Sequence, residues 1–311
     1  MQKLKTVWLN GTFVTQSDAA CRVDSPSLAN GMAVLEDVPV FSGATGVFAL
    51  RVADHVRQFL RSAKIAQMDV PFTADKLQGA VAKTASVGEF SSGNVRMMVL
   101  YMSAPEAGCA PEVSVAMFCT PAPSLCDEPI SACISSWRAI SNNALPPQAL
   151  LVAMRANAEF ALRDARACGF GQAVLLDEAG DVCSCAGAAL FTVRDGVLST
   201  PPVSCGVRES VERDTVINFA MDLDIPIVEE RITRADLYCA DEVFFCDGIA
   251  GVLPVSSVDG RTVGMPGKRE KLVLSAEPGK PGPITKAVQG RYAKLVACGL
   301  EEYSAWVTPI A

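Results

Sequence analysis

Strand-like and helix-like segments alternate along this chain, and one polar, proline-rich stretch, Thr120–Pro129, interrupts the series. On its N-terminal side, residues 51–68 and 72–87 carry apolar side chains at helical spacing, which predicts two helices, with Thr73 as the N-cap of the second. Residues 95–101 and 113–118 instead alternate as half-buried strands do. Proline and polar residues in such a stretch are typical of a linker. The pattern therefore predicts an α+β chain that is divided at this point.

The length of the chain agrees with a division into two domains. It has 311 residues, and a domain takes roughly 150. We predict a smaller N-terminal α/β domain, residues 1–125, and a larger C-terminal domain, residues 126–311. Half of the residues are hydrophobic, which is enough for a sizeable core in each domain.

Charge and segment composition exclude several classes of partner. Lys and Arg number 27 against 34 Asp and Glu, a net charge of −7, so we expect neither nucleic acid nor an anionic membrane as the main partner. No run approaches the ~18 apolar residues of a membrane span, and we find no signal peptide. We expect a cytoplasmic protein with reduced cysteines. A single histidine, His55, and no C-x₂-C pair predict no metal site.

Four segments carry a family resemblance: Val7–Gly11, Arg51–His55, Ser135–Trp137 and Leu237–Phe244, which reads LYCADEVF. Together they resemble the fold-type IV pyridoxal-phosphate (PLP) enzymes, which include branched-chain aminotransferases, D-amino-acid aminotransferases and aminodeoxychorismate lyases. The resemblance covers nearly the whole chain. It implies a two-domain α+β fold with an inter-domain cleft, assembled as a homodimer.

The active-site lysine of that family has no counterpart in this chain. The lysine amine binds PLP covalently and later moves a proton. It precedes a Gly-aromatic pair, here Gly169-Phe170, by a nearly fixed distance that leads to Leu150, or to Leu151 if the spacing is one residue shorter. No lysine lies between Lys83 and Lys268. The resemblance therefore predicts that the covalent link is lost.

Other positions that touch the cofactor in the family also differ. The resemblance places Ser184 where the family has a glutamate opposite the pyridine nitrogen. Glu212 stands for a threonine in one phosphate turn, and Gly248 for a threonine in the other, where Asp247 adds a carboxylate. From these changes we expect no cofactor.

Four arginines are candidates for binding an anion. Arg51 and Arg213 match phosphate ligands of the family, and Arg96 lies on the matching strand near the substrate. Arg155, one turn beyond Leu150, is a candidate carboxylate clamp. The alternative for Arg51 is a surface ion pair, and the alternative for Arg155 is a solvated helix residue.

Three residues are candidates for catalysis. Glu212 and Asp247 could serve as a general acid–base pair, and Cys246 as a nucleophile. The alternative is that the two carboxylates cap a helix and line a solvated rim, and that the cysteine is a buried thiol.

These observations leave three hypotheses. The first is a PLP-independent lyase, isomerase or cyclase that acts on a small carboxylated metabolite in the former cofactor cleft. The second is a non-catalytic homologue that binds a ligand or regulates a partner. The third is a PLP-dependent aminotransferase or lyase whose lysine has moved elsewhere.

Overall fold

The computed structural model describes residues 6–43, 46–88, 92–122, 125–264 and 277–310. Its contacts divide the chain into two compact units. Unit 1 comprises residues 1–124, 148–154 and 295–311, and unit 2 comprises residues 125–147 and 155–294.

Strands dominate both units. In chain order the described strands are β1 (Thr6–Leu9), β2 (Thr12–Thr15), β3 (Ala33–Gly43), β4 (Gly46–Leu50), β5 (Ser92–Tyr101), β6 (Val113–Pro121), β7 (Ile130–Arg138), β8 (Gln172–Leu176), β9 (Val182–Cys185), β10 (Ala189–Arg194), β11 (Val197–Thr200), β12 (Ile227–Glu229), β13 (Glu242–Asp247), β14 (Gly251–Val258), β15 (Arg261–Thr262) and β16 (Val307–Ile310). The described helices are α1 (Pro26–Ala29), α2 (Val52–Ile65), α3 (Ala74–Val87), α4 (Val152–Ala167), α5 (Val211–Asp222), α6 (Arg234–Tyr238) and α7 (Pro283–Val296), with 3₁₀ turns at Val203–Cys205 and Glu301–Trp306.

Unit 1 contains an antiparallel sheet in the order β16-β4-β3-β5-β6-β1-β2. Its first hairpin joins β1 to β2 through Asn10 and Gly11, whose φ angles are 47° and 103°. Positive φ at both central residues is typical of the turn that the Asn-Gly pair predicts. The two predicted helices form α2 and α3, and both pack against the sheet. The predicted N-cap Thr73 is confirmed, because its hydroxyl accepts a hydrogen bond from Lys76 N.

Two later segments of the chain return to unit 1. Leu151 forms an isolated bridge with Val34 of β3, and β16 pairs antiparallel with β4. The predicted single boundary between residues 125 and 126 does not account for these two segments, which belong to unit 1. They depend on pairing between residues more than 100 positions apart, which strand periodicity alone does not reveal.

Unit 2 contains a mixed sheet in the order β12-β11-β10-β13-β14-β7-β8-β9, and β15 pairs with β14. The pairs β7–β8, β7–β14 and β11–β12 are parallel, and the others are antiparallel. Phe191 and Phe244 are cross-strand partners whose rings stack 5.1 Å apart in its core. Among the described helices, none has both the length and the apolar character needed to cross a membrane.

The stretch predicted as a linker, Thr120–Pro129, is partly structured. Strand β6 continues to Pro121, and residues 123–124 lie outside the described residues. The backbone N–H of Leu125 donates a hydrogen bond to the carbonyl of Ile249 over 3.0 Å. Leu125 is therefore held within unit 2, whose first segment is residues 125–147.

Candidate functional site

Leu150 is held beside β3 by its backbone. The carbonyl of Leu150 accepts a hydrogen bond from Leu35 N over 3.0 Å. The N–H of Leu150 donates to Ser62 Oγ over 3.4 Å, and Ser62 Oγ donates to Gln148 O over 3.3 Å. The half-buried side chain is an isobutyl group, which can neither form an imine nor carry a proton.

Asp37 on β3 and Arg96 on β5 form a bidentate ion pair. Arg96 Nε lies 2.8 Å from Asp37 Oδ1, and Arg96 Nη2 lies 2.9 Å from Asp37 Oδ2. The two side chains are about equally exposed, at 26% and 25%. The hydrogen bonds that Arg96 donates to Asp37 raise the pKa of Arg96 above its ordinary value. The predicted anion ligand Arg96 thus already binds a carboxylate of its own chain.

A buried pair lies on the opposite face of the same strand. Glu36 Oε1 lies 2.8 Å from Nδ1 of His55 on α2, and both side chains are almost fully buried. Because side chains alternate along a strand, Glu36 and Asp37 point to opposite faces of the sheet. The helix-covered face therefore carries the only histidine of the chain in a structural role, while Asp37 and Arg96 occupy the other face.

Arg51 lies at the N-cap of α2 in a left-handed conformation, with φ 49° and ψ 37°. Its N–H donates to the carbonyl of Trp306 over 2.6 Å, and its guanidinium lies 4.2 Å from the centre of the Trp306 ring. Its Nε and Nη2 each lie 2.8 Å from Asp54 Oδ2. The C-terminal segment thus fixes this predicted phosphate ligand, which has an acidic partner within its own helix.

Arg213 lies in the first turn of α5, behind the N-cap Ser210. Ser210 Oγ accepts a hydrogen bond from Arg213 N over 3.1 Å. The buried guanidinium donates from Nη2 to Glu229 Oε2 at 2.9 Å and to Pro201 O at 3.2 Å. Its Nε is buried with no hydrogen-bond partner among the described residues. A buried donor without a partner is costly, so this atom could gain from an added acceptor.

Asp247 closes the turn that follows β13. Its Oδ1 accepts hydrogen bonds from Ile249 N at 2.8 Å and from Ala250 N at 2.9 Å. Gly248, the position predicted to replace a threonine, lies between them and accepts a hydrogen bond from Tyr292 Oη through its carbonyl, at 2.8 Å. A carboxylate of the chain therefore occupies backbone donors that could otherwise face an anion.

Cys246 is fully buried, with Sγ 3.8 Å from the carbonyl oxygen of Glu212. Burial, followed by the charges of Glu212 and Asp247, raises the pKa of Cys246 well above its ordinary value. The thiol is protonated near neutral pH and is a poor nucleophile there. The structure thus brings together the three predicted catalytic residues in unit 2, and their roles stay a prediction.

The two remaining predicted positions lie apart from this group in sequence. Ser184 is half-buried on β9, where it is the cross-strand partner of Leu175. Arg155 is exposed near the start of α4. The exposure of Arg155 favours the alternative of a solvated helix residue over a carboxylate clamp.

The acidic and aromatic residues that contact the arginines were not predicted from the sequence. Asp37 faces Arg96 through strand register, and Glu229 reaches Arg213 from β12. Trp306 reaches Arg51 because β16 returns to unit 1. Only Asp54 could have been found, since its i,i+3 spacing from Arg51 suits a helical ion pair.

The residues of unit 2 fit one part of PLP. The N-terminus of α5, with the buried Arg213 and its unsatisfied Nε, suits a phosphate group. The turn closed by Asp247 does not, because its N–H groups already bind a carboxylate. Residues 84–267 contain no lysine for a covalent bond. The donor set therefore fits a phosphate held without covalent attachment.

Comparison with known proteins identifies the relatives of this chain. The family model for amino-transferase class IV matches residues 34–258. A branched-chain-amino-acid aminotransferase of Salmonella typhimurium is 30% identical, covering 99% of this chain and 98% of the relative. The crystal structure of a branched-chain aminotransferase from Thermoproteus uzoniensis with norvaline superimposes with a TM-score of 0.89 at 34% identity, covering 99% of this chain and 100% of that one. The Thermobaculum terrenum enzyme in its PLP form gives 0.88 at 26% identity, with full coverage of both chains.

These relatives correct the expectation that no cofactor is involved. That expectation was wrong because the comparison points to PLP: matching chains are aminotransferases, and one was solved in its PLP form. The expectation rested on changes at a few positions. A lysine supplies only one of the bonds that hold such a cofactor, and the phosphate contacts do not depend on it.

The family and the fold class that the resemblance implied are confirmed. The α+β fold with two sheets matches the solved aminotransferases over the whole length. The family model covers well over half of the residues. This chain belongs to the aminotransferase class IV family.

Proposed function

We propose that this chain is a branched-chain-aminotransferase-like protein that binds a PLP-type cofactor reversibly, without a covalent bond. It serves as a ligand-binding member of its family rather than as a transaminase with a lysine base. One observation carries the proposal: position 150 is leucine, within a stretch from 84 to 267 that lacks lysine.

The missing amine bears on two steps. When bound in a transaminase, PLP supplies an electron sink for bonds at the α-carbon of an amino acid. A lysine links it to the protein and carries the proton between carbon atoms. The Leu150 side chain can do neither, so we expect binding without sustained turnover.

The start of α5 is the proposed phosphate site. Its N–H groups and the guanidinium of Arg213 attract the phosphate. The negative charges of Glu212 and Asp247 oppose binding of the phosphate. At ~5 Å and an effective dielectric of about 20, each carboxylate costs about 3 kcal/mol per phosphate charge. We therefore expect weaker binding than in a relative without these two carboxylates.

Three further properties belong to this proposal. The ligand that accompanies the cofactor is a small carboxylate, as the arginines suggest. The protein forms a homodimer, which light scattering after size exclusion would measure. All twelve cysteines are free thiols, which supports a reducing compartment such as the cytoplasm.

Equilibrium dialysis against pyridoxamine 5′-phosphate tests the proposal, because this amine form binds its proteins without a covalent bond. We expect saturable binding that dialysis reverses, and at least ten-fold weaker binding in Arg213→Met. Arg163→Met, which removes an arginine exposed on α4, serves as the control and should bind as the wild type does. Absence of saturable binding, or sustained transamination of branched-chain amino acids, would contradict the proposal.

A further inference from the structure

Three side chains that could ligate a cation meet beside the hairpin of β8 and β9 in unit 2. Asp177, Asp181 and Cys205 each offer one ligand atom, and these atoms all lie within 4.8 Å of one another. We propose that they bind one divalent metal ion of the Zn²⁺ class. The expectation of no metal site rested on histidines and C-x₂-C pairs, and these three ligands form neither pattern. The proposal does not depend on the proposed function.

The loop between β8 and β9 brings the two carboxylates together. The N–H of Asp181 donates to Asp177 Oδ1 over 2.9 Å, and the N–H of Asp177 donates to the carbonyl of Asp181 over 2.8 Å. Gly180 has a φ of 92°, which allows the chain to turn tightly between them. Backbone hydrogen bonds thus hold both acidic residues in one loop, where their side chains are half-buried.

The buried thiol of Cys205 reaches the same place from another part of the chain. Cys205 ends the 3₁₀ turn Val203–Cys205, and its N–H donates to the carbonyl of Pro202 over 3.0 Å. The residue is only 2% exposed, and its Sγ lies beside an oxygen of each carboxylate. Its only side-chain hydrogen-bond partner among the described residues is Asp177, a member of the cluster. The cluster is therefore more than a group of surface acids, because it contains a buried soft ligand with no partner elsewhere.

One thiolate and two carboxylates suit a borderline-soft divalent ion. Zn²⁺ binds sulfur at about 2.3 Å and carboxylate oxygen at about 2.0–2.2 Å, and three protein ligands leave a fourth position for water. Ca²⁺ and Mg²⁺ prefer sites made of oxygen alone. Ligand atoms around one zinc ion lie about 3.3–3.8 Å apart, so small side-chain rotations close the cluster. On binding, the Cys205 thiol releases its proton to solvent, and the sulfur binds the metal in place of that proton.

Arg231 opposes a cation at this cluster. Its Nη1 lies 2.9 Å from Asp181 Oδ2, so an incoming ion competes with a guanidinium for this carboxylate. The Arg231 side chain is 64% exposed, whereas that of Asp181 is 16% exposed. The guanidinium can therefore turn into solvent when the ion binds. Removal of Arg231 should tighten metal binding, which the loss of a merely structural ion pair would not do.

Titration of the reduced, metal-free full chain with Co²⁺ tests the site, because a cobalt–thiolate bond gives a charge-transfer band in the near ultraviolet. We expect the band to saturate at one Co²⁺ per chain and to disappear when Zn²⁺, which binds more tightly, displaces the cobalt. Cys205→Ser should abolish the band. Cys239→Ser, which removes an exposed thiol, serves as the control and should leave the band and the stoichiometry unchanged.

Two further variants keep the test decisive if Cys205→Ser does not fold. Asp181→Asn should weaken Co²⁺ binding at least ten-fold, because it removes a charged ligand. Arg231→Met should tighten Co²⁺ binding at least three-fold, because it removes the competing cation. The inference is overturned if the wild type shows no saturable band, if the band survives in Cys205→Ser, or if Arg231→Met binds Co²⁺ no more tightly than the wild type.

Discussion

Leu35 donates its backbone N–H to the carbonyl of Leu150 over 3.0 Å, on the side of β3 that β4 leaves open. Strand β4 pairs only with Val40–Gly43, so the N-terminal half of β3 is available to the returning chain. Position 150 is therefore fixed by main-chain bonds and not by its own side chain. A substitution there changes the chemistry of the position and leaves its location intact.

Trp306 should stabilise unit 1 through Arg51. Removal of the ring in Trp306→Ala loses a cation–π contact and the packing against Tyr303, whose ring centre is 4.0 Å away. We expect the free energy of unfolding to fall by about 1–3 kcal/mol, measured by urea denaturation. Trp306→Phe should lose less than half as much. Equal losses in both variants would show that the aromatic face contributes nothing.

The buried pair of Glu36 and His55 should be sensitive to the loss of one partner. Glu36→Ala leaves the imidazole buried without this hydrogen bond, and we expect a loss of about 1–3 kcal/mol in unfolding free energy. Glu36→Gln keeps an acceptor oxygen and should lose at least 1 kcal/mol less. Thermal and urea unfolding of the two variants measure the difference, and an equally mild effect of both substitutions would contradict the structural role.

Buried thiols should make the protein less stable in alkali. Burial raises the pKa of Cys183 from the ordinary value of 9.0 to about 11. The folded state therefore keeps a proton that the unfolded state releases, so stability is complete below pH 9 and declines as pH rises through about 11. We expect this residue to account for about 2–3 kcal/mol of that decline.

The slope of unfolding free energy against pH measures this contribution. Between pH 9 and 11, Cys183→Ala should show a shallower slope than the wild type, whereas Cys109→Ala, which removes an exposed thiol, should show the same slope. Identical slopes for all three proteins would contradict the assignment.

Asp247 should weaken cofactor binding through its charge. Asp247→Asn keeps an oxygen for the N–H groups of Ile249 and Ala250 and removes the negative charge. We expect pyridoxamine 5′-phosphate to bind about ten-fold more tightly, given a repulsion of about 3 kcal/mol per phosphate charge before screening. Dialysis binding measures the change. Unchanged or weaker binding would show that the phosphate lies elsewhere.

The elements of this fold were largely predictable from the sequence. Periodicity gave α2 and α3 close to their observed bounds, and the Asn10-Gly11 turn and the Thr73 cap followed from local chemistry that acts within a few residues. The returns of residues 148–154 and 295–311 to unit 1 were not predictable. They depend on long-range pairing that leaves no periodic pattern.

The candidate site likewise contains residues that the sequence could predict and residues that it could not. Leu150, Arg51 and Arg213 could be named as candidates from motif spacing, because each lies close to a recognisable segment, and their roles stay a prediction. The partners Asp37, Glu229 and Trp306 could not, since strand register and chain return bring them into contact. The prediction that no cofactor binds was wrong. It gave more weight to the covalent bond that is lost with the lysine than to the non-covalent contacts that remain.

Borohydride reduction in the presence of PLP, followed by intact mass and peptide mapping, tests the central claim most directly. The wild type and the size-matched Leu150→Met should gain no specific pyridoxyl group, while Leu150→Lys should gain one at residue 150. That result would show that an amine at position 150 is enough to form the covalent bond that the wild type cannot form. A stoichiometric adduct on a native lysine of the wild type, or no adduct at residue 150 in Leu150→Lys, would contradict the account.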